Sequence, residues 1–509
     1  MNSDLMRRDH DHDHDHDLDL ESDDDDRDVF RDQCAVVGVW DPTSVGQAEA
    51  AKLAYLMLYA LQHRGQESAG IVSGDGETLK RKVGAGLVAD VFSEADLATL
   101  AGGVAIGHCR YATAGDQDAR MRDAGPVFAR CQAGPIAVAH NGNIVNAEAL
   151  RQSLEERGSI FTSSVDTEVV LHLMASSHGT LLQRLQKSLK QVRGAYCLTV
   201  AGDGRVYGAR DPSGVRPLAL GRIQREGAND GWVLASETCA FDLVGATYVR
   251  DVAPGEIVVI DADGVASHRI ENTDGAPQAF CIFEHVYFSR PDSLVFERYV
   301  HEARHALGKQ LAKETAVAAD VVIAVPDSGV FAAMGFAEQS GLPFAMGLVR
   351  NHYVGRTFIE PEQRIRHFGV KLKLNPVRSI LQGKRVVVVD DSIVRGTTSK
   401  KIVDMILSAG AAEVHLRISA PPTTHPCFYG VDTPTKEELI GSHMSVEDIR
   451  RFVNATSVGY LSRAGMHAAV ANIDVDVARA AIASRRSGFC DACFSGDYPI
   501  QIGGHKARR

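Results

Sequence analysis

The chain has 509 residues, 45% hydrophobic and 23% charged, enough for two or three domains of ordinary size. Its formal net charge of −11 sits at one end: residues 1–33 hold 14 Asp and Glu against four Arg, leaving the remainder near −1. That balance excludes a polyanion and a basic nucleic-acid binder, and no apolar run approaches the roughly 20 residues of a membrane span.

The leader contains "DHDHDHDHD" and "ESDDDDRD", like charges with almost nothing to bury, and residues 1–33 are therefore expected to be disordered. Alternating His and Asp offer at most loose metal affinity, and the absence of an apolar h-region excludes a secretory signal. Nine cysteines in such a chain suit a reducing cytoplasm rather than a disulfide framework.

From Cys34, "CAVVGVW" predicts a strand, and "AEAAKLAYLMLYALQHRG" places apolar residues at helical spacing up to Gly65. Short β-like runs between glycine-rich turns follow: "AGIVSG", "VAIGHCRYAT", "PIAVAHNGNIVN", "AYCLTVAG", "VYGAR", "LALGR", "GWVLAS" and "EIVVIDADG". They predict an α+β first domain over residues 34–275, a two-layered β sandwich flanked by helices.

Cys34 becomes chemically distinctive if the bond after Gln33 is cut. The exposed α-amino group, with an ordinary pKa of about 7.7–8.0, then lies beside the thiol and can take its proton. Such a nucleophile still needs oxyanion donors and groups that read the substrate's charged ends. Asn141 and Gly142 in "HNGNIVN" supply a side-chain amide and a backbone N–H. Arg110 in "HCRYATAG" suits an α-carboxylate and Asp166 in "SSVDTEVV" an α-ammonium, so together they read an amino acid. Singly, each has a plainer reading: a core cysteine, an Asn-Gly turn, a solvated arginine.

In this order, "CAVVGVW", "ALQHRGQESAGI", "GHCRYATAG", "HNGNIVN" and "VDTE" resemble the N-terminal-nucleophile glutamine amidotransferase domain. The resemblance implies a γ-glutamyl thioester on Cys34 with release of ammonia, an oxyanion hole of Asn141 and Gly142, and glutamine held by Arg110 and Asp166. It adds Arg64 and Gly65 of "QHRG" near the same pocket and makes residues 1–33 an acidic propeptide. Cys109 departs from the motif, where a hydroxyl residue is common, and is expected to pack rather than react.

Beyond about residue 276, helices alternate with runs such as "DVVIAVPDSG", "RVVVVDDS" and "EVHLRIS", apolar on both faces. They predict a parallel sheet covered on each side, an α/β domain over 276–470 followed by a C-terminal segment, 471–509. Ligands of such sheets bind at the carboxyl ends of strands. There stands "DDSIVRGTTS": two carboxylates suited to sugar hydroxyls and Mg²⁺, then a loop entering a helix whose N-terminal N–H groups attract a phosphate. It resembles the phosphoribosyl pyrophosphate (PRPP) loop of type I phosphoribosyltransferases. That implies a 5-phosphate on Ser392, Ile393, Val394, Arg395, Gly396, Thr397 and Thr398, with ribose hydroxyls and Mg²⁺ at Asp390 and Asp391. Ser328 in "VPDSG" is a further implied Mg²⁺ contact. "VRNHYVGRTFIEPEQRIRHFGVKLKLNP", rich in Arg and Lys, reads as a lid over a polyanion.

A glutaminase followed by a phosphoribosyltransferase resembles the amidophosphoribosyltransferase family, and "YFSRPDS", "NHYVGRTFI" and "DDSIVRGTTS" are close to its signatures. The resemblance implies conversion of PRPP, glutamine and water to 5-phosphoribosylamine, pyrophosphate and glutamate, the entry to de novo purine synthesis. It also implies feedback by purine nucleotides, a homotetramer and an enclosed passage for ammonia. Competing readings are a PRPP sensor that keeps the fold, and a glutaminase serving another acceptor, as in glucosamine-6-phosphate synthase or asparagine synthetase. The intact glutaminase set opposes the first and the PRPP loop the second.

Cys490 and Cys493 form a Cys-x-x-Cys pair, with Cys427 in "PCFYG" and Cys281 in "FCIFEH" far upstream, which is not a zinc-ribbon spacing. Four thiolates could hold zinc, an iron–sulfur cluster or nothing. One branch of the family carries a [4Fe–4S] cluster on cysteines in these contexts, which implies the cluster here, with zinc second. Cys239 in "SETCA" rivals Cys281, while Cys131 and Cys197 read as core.

Overall fold

The computed structural model describes residues 31–32, 34–44, 46–110, 121–227, 229–271, 275–351 and 374–502. Strand β1 (Cys34–Trp40) is buried along its whole length, because it is covered on both faces. Val36 and Trp40 point between two sheets, whereas Ala35, Val37 and Val39 meet Leu53, Met57 and Leu58 of helix α1 (Glu49–Ala60). Burying each of those larger side chains is worth roughly 1.5–3 kcal/mol.

The first sheet is antiparallel and seven-stranded, in spatial order Thr247–Asp251, Ala219–Ile223, Gly231–Ala235, β1, β2 (Val104–Arg110), Ser68–Gly74 and Leu79–Ala85. The second runs Gly264–Arg269, Glu256–Asp261, Arg205–Arg210, Gly194–Gly202, β3 (Gly134–Ile144) and Val127–Cys131. Alternation along β3 divides its side chains: Ala137 and Ala139 enter the inter-sheet core, while Ile136, Val138 and Ile144 pack against helices α2 (Thr167–Ser176) and α3 (Leu181–Leu189). The expected flanked sandwich is therefore a four-layer helix–sheet–sheet–helix stack.

The second half contains the expected parallel sheet. β4 (Val321–Ala324), β5 (Arg385–Asp390), Glu413–Ile418 and Ser457–Tyr460 lie side by side in that order. Val387 and Val389 share a core with helices α4 (Val300–Glu314) and α5 (Val330–Ser340), and Val386 and Val388 share another with helix α6 (Thr397–Ser408). The last residues fold back, pairing Phe489–Cys490 with Phe280–Cys281 in parallel. Of the leader expected to be disordered, Arg31–Asp32 form a two-residue strand against Val431–Asp432. The proposed lid lies mostly outside the described residues, but its two ends, Leu348–Arg350 and Leu374–Pro376, form an antiparallel pair.

A buried quartet of charges joins the halves. Arg64 donates to Glu237, to Glu284 at 2.5 Å and to Ser289 at 3.1 Å, and Arg216 lies 3.2 Å from Glu284, all four charged side chains being fully buried. Glu237 also accepts from Ser293 at 2.6 Å and from the Arg290 amide at 2.8 Å. Burial alone would raise the Glu237 carboxyl, but Arg64 and His63 outweigh it and hold it far below the usual range. Because the folded state depresses this pKa, the stabilisation is complete above the ordinary Glu value of about 4.3 and fades as pH falls below it. Arg64→Met removes the cation that two buried carboxylates share, and is expected to cost about 3–5 kcal/mol in urea unfolding at neutral pH.

Candidate functional site

The end of β1 places Cys34 opposite Arg110 at the end of β2, and Ser68 pairs with Arg110 from the other side. Arg110 donates to the Asp123 carbonyl at 2.6 Å, its guanidinium 3.7 Å from the Asp123 carboxylate. Gly65 lies on the backbone of these residues: a Cβ there would stand 2.7 Å from the Cys109 carbonyl carbon and 2.8 Å from the Arg110 nitrogen. Its neighbour Arg64 belongs to the same segment, but its guanidinium is engaged by Glu237 and Glu284.

β3 brings up Asn141 and Gly142. Asn141 is fully buried, and its amide reaches Ser236 Oγ at 3.5 Å, the hydroxyl that also receives the Val36 N–H of β1 at 3.0 Å. Gly142 adopts φ +143°, and a Cβ would lie 2.1 Å from the Ala195 carbonyl oxygen, so only glycine fits. Asp166 stands at the start of α2 and accepts from the Ile144 amide at 2.8 Å and from His140 Nδ1 at 3.1 Å. Burial pushes its carboxyl up, but His140, the Ile144 amide and Arg110 prevail and hold it below the usual carboxylate range. A thiol, two candidate oxyanion donors, a cation and a carboxylate thus share one end of the sandwich. Cys109 faces α1, its Sγ 3.9 Å from the Leu58 carbonyl, and burial pushes its thiol pKa well up, as suits packing.

At the carboxyl end of β5, Asp390 and Asp391 are buried, and Asp391 ties two loops together. It accepts from Ser328 at 2.5 Å and from Ser392 at 2.6 Å. Burial raises its carboxyl, the nearby serines and Arg304 only partly compensating. Ile393 and Val394 are buried in opposite cores, so the loop is anchored by side chains and any phosphate contact there falls to backbone N–H groups. Gly396 caps α6 at φ +82°, and Thr397 and Thr398 begin the helix. Arg395 is paired with Glu438 at 2.6 Å. The arrangement suits a phosphate over a helix N-terminus beside a cation-holding carboxylate pair.

Cys281 and Cys490 lie side by side in paired strands, and burial, with smaller contributions from neighbouring thiols that include Cys427, pushes the thiols of Cys281, Cys490 and Cys493 up. Burial pushes Cys281 up to about 12. Among the described residues no three His, Cys, Asp or Glu side chains already stand as a ligand shell. Cys239 lies elsewhere, with its Sγ 3.9 Å from Glu237. The same region touches the first site: Asn143 donates to the Phe428 carbonyl at 2.9 Å, and a Cβ on Gly430 would be 2.7 Å from the Gly142 Cα.

Several residues that build these sites were not picked out from the sequence. His140 directly precedes Asn141 within "HNGNIVN", Ser236 and Glu237 lie in "SETCA", and Glu284 lies in "FCIFEH". Each stood in a segment singled out for a neighbour, with no spacing signal of its own.

A glutamine amidotransferase domain model matches residues 108–242 and a phosphoribosyl transferase domain model residues 299–433. Amidophosphoribosyltransferase 1, chloroplastic, of Arabidopsis thaliana is 50% identical over 481 residues, covering 94% of this chain and 81% of that protein. Amidophosphoribosyltransferase of Bacillus subtilis is 48% identical over 473 residues, covering 92% and 95%. A solved structure of glutamine PRPP amidotransferase from B. subtilis, complexed with ADP and GMP, superposes with a TM-score of 0.84 at 47% identity, covering 93% of this chain and 99% of the other. With two domains in the same order and half of its residues shared over nearly its whole length, the chain belongs to the amidophosphoribosyltransferase family.

Proposed function

We propose that this chain converts PRPP, glutamine and water to 5-phosphoribosylamine, pyrophosphate and glutamate, the first step of de novo purine synthesis. The observation that supports this reading is one folded chain that sets Cys34 opposite Arg110 in one half and ties Ser328 to Asp391 in the other.

Removal of residues 1–33 frees the Cys34 α-amino group, which takes the thiol proton as the sulfur attacks the glutamine amide carbon. Arg110 and Asp166 hold the substrate's α-carboxylate and α-ammonium, while Asn141 and the Gly142 N–H stabilise the oxyanion. Ammonia leaves, water hydrolyses the thioester to glutamate, and ammonia attacks C1 of PRPP as pyrophosphate departs. The 392–398 loop holds the 5-phosphate, and Asp390 and Asp391 the ribose hydroxyls. The glutaminase unit runs from Cys34 to about residue 275, the phosphoribosyltransferase unit over 276–470, and 471–509 supplies two of the four cluster cysteines.

Asp390, Asp391 and Ser328 fit Mg²⁺: the donors are hard oxygens, and Asp391 is a buried carboxyl whose raised pKa a cation would reverse. Bound there, Mg²⁺ neutralises pyrophosphate charge. Cys281, Cys427, Cys490 and Cys493 fit a [4Fe–4S] cluster, with zinc the second choice. They are four neighbouring thiols, of which Cys281, Cys490 and Cys493 are kept protonated by burial until a metal displaces the protons. A cluster there would supply structural cross-linking, since the reaction moves no electrons. Anaerobically purified protein is expected to be brown with about four irons per chain; colourless, iron-free and fully active protein would remove the cluster.

Purine nucleotides are proposed as feedback inhibitors, supported by the ADP and GMP in the B. subtilis complex, and the assembly as a homotetramer. No described helix is long and apolar enough to cross a membrane, and a cytoplasmic setting is supported by nine cysteines whose spacing is not that of a disulfide framework. The test is nitrogen transfer: with amide-¹⁵N glutamine and excess unlabelled ammonium, processed protein plus PRPP and Mg²⁺ is expected to yield ¹⁵N-phosphoribosylamine. Unlabelled product alone would overturn transfer through an enclosed passage.

A further inference from the structure

We infer that His140 is a positioning residue for the glutamine half-reaction, braced from the facing sheet by His108. The inference rests on the reading of Asp166 as the carboxylate that receives the substrate's α-ammonium. Alternation along β3 puts the His140 side chain on the face of Val138, toward α2, where Asp166 stands, and Asn141 on the opposite face, toward β1. His140 Nδ1 is 3.1 Å from one Asp166 oxygen, and the Ile144 N–H reaches the other at 2.8 Å. His140 Nε2 is buried with no hydrogen-bond partner among the described residues, so Nδ1 is the ring nitrogen that carries the polar contacts, to Asp166 and, at 3.3 Å, to the Thr167 hydroxyl. Both oxygens of the carboxylate are thus tied to the strand that also carries Asn141 and Gly142. That sets the distance from the ammonium anchor to the oxyanion donors.

The brace crosses the sandwich. His108, on β2 two residues before Arg110, reaches the His140 carbonyl oxygen with Nε2 at 2.9 Å. Burial, with Arg110 and His140 nearby, pushes His108 down to about 3, so it is neutral and donates Nε2–H. The contact holds the peptide between His140 and Asn141. It also links the strand that delivers the carboxylate reader, Arg110, to the strand that fixes the ammonium reader, Asp166. Substrate recognition by two opposite charges is sensitive to their separation, and these two imidazoles hold that separation across two sheets.

The experiment compares His140→Asn, whose amide nitrogen can occupy the place of Nδ1, with His140→Gln, whose amide reaches the place of Nε2, in processed protein. His140→Gln is expected to raise the glutamine KM roughly ten- to hundredfold, the range for losing a hydrogen bond to a charged group. The ratio of glutamine-dependent to ammonia-dependent kcat/KM falls with it, and His140→Asn keeps KM within about threefold, since the N–H to the carboxylate survives. An unchanged KM in His140→Gln, equal rises in both variants, or equal loss with both nitrogen sources would overturn the inference. If His140→Gln does not fold, His140→Asn decides: a tenfold rise in its glutamine KM overturns the inference and a retained KM supports it. Asp166→Asn is measured alongside: an unchanged glutamine KM there overturns the underlying reading of Asp166, whereas a large rise with normal His140→Gln overturns only the role of His140.

Discussion

Cys34→Ala is expected to abolish glutamine-dependent synthesis of phosphoribosylamine, by at least ~10³-fold, while synthesis from free ammonia persists. Among the described residues, Cys34 is the thiol that lies opposite Arg110 at the sandwich end. Cys109 faces α1, and its buried thiol is pushed toward the protonated form. Asp390, Asp391 and the 392–398 loop follow a strand of another sheet. Losing the sulfur therefore removes the supply of ammonia without disturbing its use. Steady-state assays with each nitrogen source at saturating PRPP measure this, and equal loss with both sources would contradict the two-site scheme.

Asp391→Asn is expected to lower synthesis from both nitrogen sources by about 100-fold, the rate equivalent of losing a charged contact of nearly 3 kcal/mol. Asp391 ties Ser328 of the β4 loop to Ser392 of the PRPP loop, so the change loosens the site as well as removing a charge. Glutamine hydrolysis by Cys34 is expected to fall in step with pyrophosphate release, because glutamate appears only when PRPP is bound. Parallel assays of pyrophosphate and glutamate check the pattern. A variant impaired only with glutamine would contradict the placement of PRPP at Asp391.

The two halves were legible because their strands carry strong apolar signals. "CAVVGVW" and "RVVVV" are buried on both faces, and the helix after Cys34 shows the 3.6-residue period, although it ends at Ala60 and a 3₁₀ turn, Gln62–Arg64, finishes the segment. Strands Leu79–Ala85, Thr247–Asp251 and Gly264–Arg269 were not legible. They lie at sheet edges, half solvated, where charges such as Lys80, Arg81 and Arg250 replace the alternating pattern.

Motifs singled out Cys34 and the 390–398 segment, but they could not show what surrounds them. Glu237 and Glu284 meet Arg64 across more than 170 positions of sequence, and a lone Glu in a loop looks solvated until folding buries it. His140 lay in plain view inside a quoted motif, and only its 3.1 Å approach to Asp166 gives it a role. The four cysteines were grouped by resemblance. Their spatial gathering follows from the C-terminal segment pairing back onto residues 280–281.

The most direct measurement is glutamate and pyrophosphate release in one reaction, with processed, anaerobically purified protein, glutamine and Mg²⁺, with and without PRPP. The account predicts equal amounts of both products, appearing together only when PRPP is present. Glutamate without pyrophosphate, at the same rate with or without PRPP, would contradict it.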